Sequence, residues 1–404
     1  MRGPYQTMLI RLVEFAFRSV FRVSSWVSRL LARGGSAAPK KILVVETTRI
    51  GDVLLTTPAL RLLKSCYPDA DITYVAEGAA ADVLRHNPNV GRVAVLQKSD
   101  SLRGLWAGIR QVRAEAYDVA LNCSPAARNA ILTWLARAPV KIGYFERFRS
   151  QEGSRRPIPV SGIGLRVLPS FAYRGQHLAD RALDVVKALW LTSAPGLEAT
   201  ATARRQMEDG QELPNLELHI PEEVRLRVAQ EYFHDTADRP AVVIHTTASW
   251  SYRTWAPARF KDLLKRLYEI NPALQIFLVG ANSERAFLDQ LVADAGCPAN
   301  VVAGGDLHEL AALIQLAGVF IGAASGPLHI ASAAGTPCVA LLGPDTPAAA
   351  RPIGSRHRVF YKRVDCSPCA QLVCVCPENP CTHLISVDEV AGAAMEVLAQ
   401  RTRG

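Results

Sequence analysis

The sequence predicts an α/β protein of two Rossmann-like, doubly wound parallel-sheet halves facing each other across a central cleft. Two observations carry this. Short unbroken apolar runs alternate with amphipathic stretches, the pattern of buried parallel strands between helices. That alternation opens at residue 40 and starts again after Pro214. At roughly 100–200 residues per domain, a chain of 404 residues holds two such units. The expected division is a basic helix and linker over 1–39, a first domain over 40–195, a linker over 196–214 and a second domain over 215–404.

The elements follow in order. Residues 40–46 run from two lysines into an apolar strand, 47–52 form a turn, and 53–66 form an amphipathic helix that stops before Pro68. A second strand over 71–76 completes a βαβ unit. Strands over 92–96, 117–122 and 140–144 and a helix over 101–115 extend it. In the second half, strands are expected over 241–245, 274–280, 301–302, 319–322 and 338–342, with helices over 257–270, 283–295 and 307–317 between them.

Composition bounds the function. With 49% apolar and 21% charged residues the chain is an ordinary globular protein. Residues 1–41 carry eight basic side chains against Glu14 alone, which accounts for +7 of the +9 net charge. The remainder is close to neutral, which excludes a nucleic-acid-binding face across the fold. Residues 7–33 read as a cationic amphipathic helix with Phe15, Phe17, Phe21 and Trp26 on its apolar side. Arg11, Arg18, Arg22, Arg29 and Arg33 interrupt it too often for a membrane span or the apolar segment of a signal peptide. Such a helix suits an anionic membrane surface, or docks on the body of the protein.

Ligands of doubly wound sheets bind at the carboxyl ends of the strands, so the turns there hold the candidate site. Gly51-Asp52 follows the first strand, and a carboxylate at a helix start in a cleft can serve as general base or simply cap the helix. In the second half, Ser325-Gly326-Pro327-Leu328-His329 places small residues and a first-turn proline at a helix N-terminus, an anion site. Arg253 could clamp a diphosphate, and Glu284 could accept from a ribose hydroxyl.

These motifs together resemble glycosyltransferase family 9, the ADP-heptose:lipopolysaccharide heptosyltransferases, over about residues 40–400. The likeness is carried by Ile50 to Leu60, by His245 to Trp255, by Ser325 to His329 with Gly335-Thr336-Pro337, and by Asp365-Cys366-Ser367-Pro368-Cys369. The resemblance implies a GT-B fold and an inverting, metal-independent transfer, with no cofactor beyond the nucleotide-sugar co-substrate ADP-heptose. It implies a cytoplasmic enzyme, peripheral on the inner membrane, acting on a lipid-linked oligosaccharide. Asp52 matches the family's general base, Arg253 stands where the family has a donor-binding lysine, and Glu284 matches its acidic residue. The expected donor site comprises Thr48, Gly51, Thr247, Ser249, Arg253, Glu284, Ser325, Gly326 and His329, with Arg49 at the acceptor.

The family reads Asn-Asp before Ser-Gly-Pro, and this chain has Ala323-Ala324. That departure favours a second expectation, a relative with a different nucleotide-sugar donor. A third, a nucleotide-sugar-binding protein without catalysis, leaves Asp52 unexplained. Cys366, Cys369, Cys374, Cys376 and Cys381 are spaced closely enough for a structural zinc ion, for reduced thiols or for disulfides.

Overall fold

The computed structural model describes residues 38–97, 102–124, 126–144, 165–168, 177–190, 215–234, 239–248, 251–367, 374, 376 and 380–401. The expected membrane-surface helix over 7–33, the linker over 196–214, Ser249 and Cys369 lie outside the described residues.

Two six-stranded parallel sheets organise the chain. The first contains β1 (Lys41–Val45), β2 (Asp71–Glu77), β3 (Arg92–Leu96), β4 (Val119–Asn122), β5 (Val140–Tyr144) and β6 (Leu165–Leu168), in the order β3-β2-β1-β4-β5-β6. The second contains β7 (Ala241–His245), β8 (Gln275–Gly280), β9 (Asn300–Ala303), β10 (Val319–Ala323), β11 (Cys338–Leu342) and β12 (Arg358–Tyr361), in the order β12-β11-β10-β7-β8-β9. Each sheet has the doubly wound 3-2-1-4-5-6 order, with its switch point at β1/β4 or at β7/β10. The expected strands are present. The edge strands β6 and β12 are additional, and at four residues each they lack the long apolar run that marks a central strand.

The helices are α1 (Ile50–Cys66), α2 (Leu102–Arg113), α3 (Ala127–Leu135), α4 (Leu178–Trp190), α5 (Glu222–Phe233) and α6 (Pro257–Ile270). They continue with α7 (Arg285–Ala295), α8 (Leu307–Leu316), α9 (Gly326–Ala333), α10 (Pro347–Ala350), α11 (Pro380–His383) and α12 (Val387–Arg401). Among the described residues no helix is long and apolar enough to cross a membrane.

Three apolar layers separate these elements. One fills the outer face of the first sheet, around Leu43, Val45, Val75 and Leu132. A second fills the outer face of the second sheet, where α6 and α12 pack over Ile244, Leu278 and Ile321. The largest lies between the sheets and joins α1 and α4 of one half to α5, α8 and α9 of the other. This is why α1 is buried on nearly every side, with Val53, Leu54, Leu60 and Leu63 almost fully enclosed.

Pro58 sits inside α1 and removes the N–H that would reach the Leu54 carbonyl. The Thr57 hydroxyl donates to that carbonyl instead, at 2.7 Å. Thr57 Oγ1 also accepts the Glu217 N–H at 2.9 Å, and Glu217 pairs with Arg61 at 2.5 Å. The chain entering the second half is thereby tied to α1.

Trp255 anchors the turn after β7. Its indole N–H donates to the Thr382 carbonyl at 3.0 Å and its ring meets Phe260 edge to face at 5.5 Å. The side chain is only 2% exposed. Trp255→Ala should destabilise the fold by about 3–5 kcal/mol, read as a lower urea midpoint with an unchanged slope. An unmoved midpoint would show that the turn is held by other contacts.

Candidate active site

The cleft is built where α1 and α9 begin. β1 ends in the buried Glu46, and the turn over Thr47–Arg49 delivers Asp52 into the first turn of α1. The Asp52 carboxylate accepts the Thr48 hydroxyl at 2.7 Å and the Arg49 N–H at 3.3 Å, both on Oδ2. In the second half β10 ends at Ala323, Ser325 is extended, and α9 starts at Gly326-Pro327. The Ser325 hydroxyl donates back to the Ala323 carbonyl at 3.2 Å and leaves the α9 start uncapped by its side chain.

The two helix starts touch. A Cβ on Gly51 would lie 3.0 Å from His329 Cδ2 and 3.6 Å from Gly326 Cα. Glycine at 51 lets the halves approach this closely. Around the contact lies a cleft open to solvent, with Asp52 and Arg49 on one wall and Arg253, Ser325, His329 and Asp345 on the other. Two helix N-termini therefore aim their free N–H groups and positive dipole ends into one space, which favours an anion there.

The charges in the second wall are specific. Arg253 Nη1 pairs with Asp345 Oδ2 at 3.0 Å, and burial pushes the Asp345 carboxyl up against the opposing pull of that guanidinium. His329 is buried, and burial, aided by His177, lowers its imidazole to about 4. It is neutral at pH 7, and its Nδ1 has no hydrogen-bond partner among the described residues. Such a ring can donate to an oxygen anion without adding a charge.

The model of glycosyltransferase family 9 (heptosyltransferase) matches residues 105–379. The chain belongs to glycosyltransferase family 9. Lipopolysaccharide heptosyltransferase 3 of Escherichia coli K12 is 27% identical over 303 residues, covering 72% of this chain and 79% of that protein. Among solved structures, the family 9 glycosyl transferase of Veillonella parvula superposes with a TM-score of 0.71 at 22% identity, covering 89% of this chain and 98% of the other. The E. coli heptosyltransferase WaaC with ADP-2-deoxy-2-fluoro heptose superposes with a TM-score of 0.56 at 18% identity, over 89% of this chain and 99% of the other. The chain is thus a glycosyltransferase, with the two-sheet architecture of its family.

In this family 9 glycosyltransferase, seven of the expected site residues line the cleft: Arg49, Gly51, Asp52, Arg253, Ser325, Gly326 and His329. Three described ones do not. Thr48 lies behind Asp52, bonded to it. Thr247 sits past the end of β7, where its hydroxyl meets His245 Nε2 at 3.3 Å. Glu284 is at the end of β8, with its carboxylate turned back to accept the Ala281 N–H at 2.7 Å. Of the cysteines, Cys366 and Cys376 bring their sulfurs to 3.6 Å, and among the described residues no group of three or more ligands could hold a metal ion.

Two acidic residues at the site went unread in the sequence. Asp345 follows Gly343-Pro344 at the end of β11, a strand-end position that could have flagged it. Glu46 ends the apolar run of β1 and reads there as a strand's last residue. It is 2% exposed, its Oε1 lies 2.6 Å from Thr48 Oγ1, and the same oxygen accepts the Thr48 N–H at 3.0 Å and the Asn129 amide at 3.3 Å. Burial first, and then the Asp52 charge, push Glu46 up to about 8.

This raised Glu46 acts on stability with a definite sign. Its ordinary value is 4.5, so between about 4.5 and about 8 the folded protein holds a proton that the unfolded chain releases. Its contribution is complete below that window and is lost as pH rises through it, by up to about 1.4 kcal/mol per pH unit. Melting temperature measured from pH 5 to 8 should fall less steeply in Glu46→Gln than in the wild type. Parallel curves would place the proton elsewhere.

Proposed function

We propose that this glycosyltransferase transfers a heptose from ADP-heptose to the lipopolysaccharide core oligosaccharide, with inversion and without a metal. The observation that carries the reading is the opposition, across one cleft, of the Asp52 carboxylate at the head of α1 and the Ser325–His329 turn at the head of α9. The names of the relatives, a lipopolysaccharide heptosyltransferase and a heptosyltransferase solved with an ADP-heptose analogue, support the donor and the acceptor class.

In this reading the diphosphate lies against the start of α9, held by the N–H groups at Ser325 and Gly326, by the neutral His329 and by Arg253. Gly51 lines the same cleft from the first half, and Arg49 beside it faces the acceptor. Asp52 takes the proton of the acceptor hydroxyl, whose oxygen attacks the anomeric carbon from the side opposite the diphosphate. The carbon–oxygen bond to the diphosphate breaks, and its electron pair leaves on phosphate. Two helix N-termini and one guanidinium meet that charge, so the site has its own electrostatic support for the leaving group. Residues 7–33 would hold the enzyme on anionic lipid at the cytoplasmic face of the inner membrane, beside its lipid-linked acceptor.

A second reading, a different nucleotide-sugar donor, is favoured by one observation. Ala324 lines the cleft where the family resemblance leads one to expect an aspartate, and Asp345 enters from the next strand end instead. A thermal-shift panel of ADP, UDP, GDP and ADP-heptose separates the two, because ligands that bind the native state raise the melting temperature. ADP-heptose should shift it most. Asp52→Asn should keep that shift and lower turnover at least about a hundredfold. A shift with UDP or GDP alone would reject the heptose donor, and unaltered turnover would remove Asp52 from the chemistry.

Arg253→Ala should weaken ADP binding by about tenfold, the scale of one lost charge-assisted contact. Equal affinity, measured by titration calorimetry, would show that the guanidinium plays no part in donor binding.

A further inference from the structure

One hydroxyl proton faces two carboxyl groups behind the cleft. Thr48 Oγ1 lies 2.6 Å from Glu46 Oε1 and 2.7 Å from Asp52 Oδ2. A threonine hydroxyl has a single proton to donate, so it donates in one of these contacts and must accept in the other. The second proton has to come from a carboxyl group. Both contacts close together only when Glu46 and Asp52 hold one proton between them. Two ionised carboxylates would leave like charges facing each other across the hydroxyl, one of them shut away from water.

The surroundings decide where that proton resides. The titratable groups facing Glu46 are Asp52 from α1, Tyr74 from β2 and Cys123 just past β4. Burial, followed by the Glu46 charge, pushes both Tyr74 and Cys123 upward, so they stay neutral and offer no counter-charge. Among the described residues no basic side chain pairs with Glu46. The Thr48 N–H and the fully buried Asn129 amide of α3 donate to its Oε1 and pull it down, but burial and the Asp52 charge outweigh them. Asp52 instead lines the open cleft at the positive end of α1, where an anion is favoured. A proton shared by this pair therefore belongs on the Glu46 side.

We infer that Glu46 is a positioning residue for the proposed general base: Glu46 and Asp52 hold one proton across the Thr48 hydroxyl, and this fixes Asp52 as a carboxylate. The inference rests on the reading of Asp52 as base. Both hydrogen bonds to Asp52 end on Oδ2, which leaves Oδ1 for the acceptor. In the transfer step the acceptor proton passes to Oδ1 as the acceptor oxygen bonds to the anomeric carbon and the diphosphate leaves with its electron pair. When Glu46 loses its proton, two carboxylates compete for one hydroxyl and Asp52 loses its orientation. Transfer then falls on the alkaline side. The burial that pushes Glu46 up to about 8 puts that fall within reach of measurement.

The test uses the full chain and two independent readouts. Infrared pH-difference spectra of the wild type should show a protonated-carboxyl C=O band at neutral pH that Glu46→Gln removes. No such band, or one that survives in Glu46→Gln, overturns the inference whatever the enzyme's donor is. With ADP-heptose and core oligosaccharide, the alkaline fall of kcat should move up by at least about one pH unit in Glu46→Gln, the size expected when one member of a coupled pair stops titrating. Thr48→Val should lower kcat about tenfold with little change in the donor KM, and Thr48→Ser should restore it. An alkaline fall at the same pH in Glu46→Gln, or wild-type kcat in Thr48→Val, overturns it equally. A wild type that transfers no heptose defeats the proposed donor, while the infrared band still decides the shared proton.

Discussion

The site depends on two helix starts meeting at Gly51 and Gly326. Each half carries its ligand-binding turns at the carboxyl ends of its own strands, as its doubly wound order requires. Neither half alone brings Asp52 and the start of α9 together. The contact of Gly51 with the His329 ring and the Gly326 backbone does this, with the His329 ring 3.0 Å from where a Cβ on residue 51 would sit. The same contact lies at the rim of the apolar layer that joins α1 to α9, so the geometry of the cleft is set by core packing. A rigid seat for opposing groups follows from burial between the sheets.

That seat concentrates unlike electrostatic demands in a small space. The helix N-termini favour anions from both walls. The second wall adds one guanidinium, already paired with Asp345, and one imidazole that burial holds neutral. A diphosphate bound as proposed would share Arg253 with Asp345. Donor selection would then rest on hydrogen-bond geometry at the start of α9 and on how Asp345 responds when its partner is engaged. The acidic group nearest Arg253 comes from the turn after β11, whereas the turn after β10 supplies only Ala323 and Ala324.

Much of this was legible in the sequence, and the reasons differ by element. The central strands β1, β4, β7 and β10 are unbroken apolar runs, because both faces of a parallel sheet are covered. Edge strands β6 and β12 are short and mixed, and their identity depends on a neighbour to pair with. Glycine, proline and small residues at strand ends marked the turns that line the cleft, since those residue types are what a close approach and a free helix N-terminus require. Glu46 was hidden for the opposite reason. A glutamate at the end of an apolar strand looks like the point where a strand meets water, and only the fold shows α1, α3 and β2 closing over it. Likewise the turned-back carboxylate of Glu284 is a matter of one side-chain rotation, which no spacing encodes.

The burial of Glu46 bears on why the base has the form it does. An aspartate at a helix start, left to solvent and the dipole, is a weak base held firmly in its charged state. Behind it Glu46, with no basic partner among the described residues, is pushed toward its protonated form by burial and by the Asp52 charge, so the proton of the pair sits there. Thr48 lets the two groups communicate without touching, and Asn129 fixes the buried end. The arrangement is destabilising for the isolated fold at alkaline pH, because a buried acid must ionise there without a partner. It lies beside the cleft, against the carboxylate proposed as base, and chemistry explains that placement better than packing does.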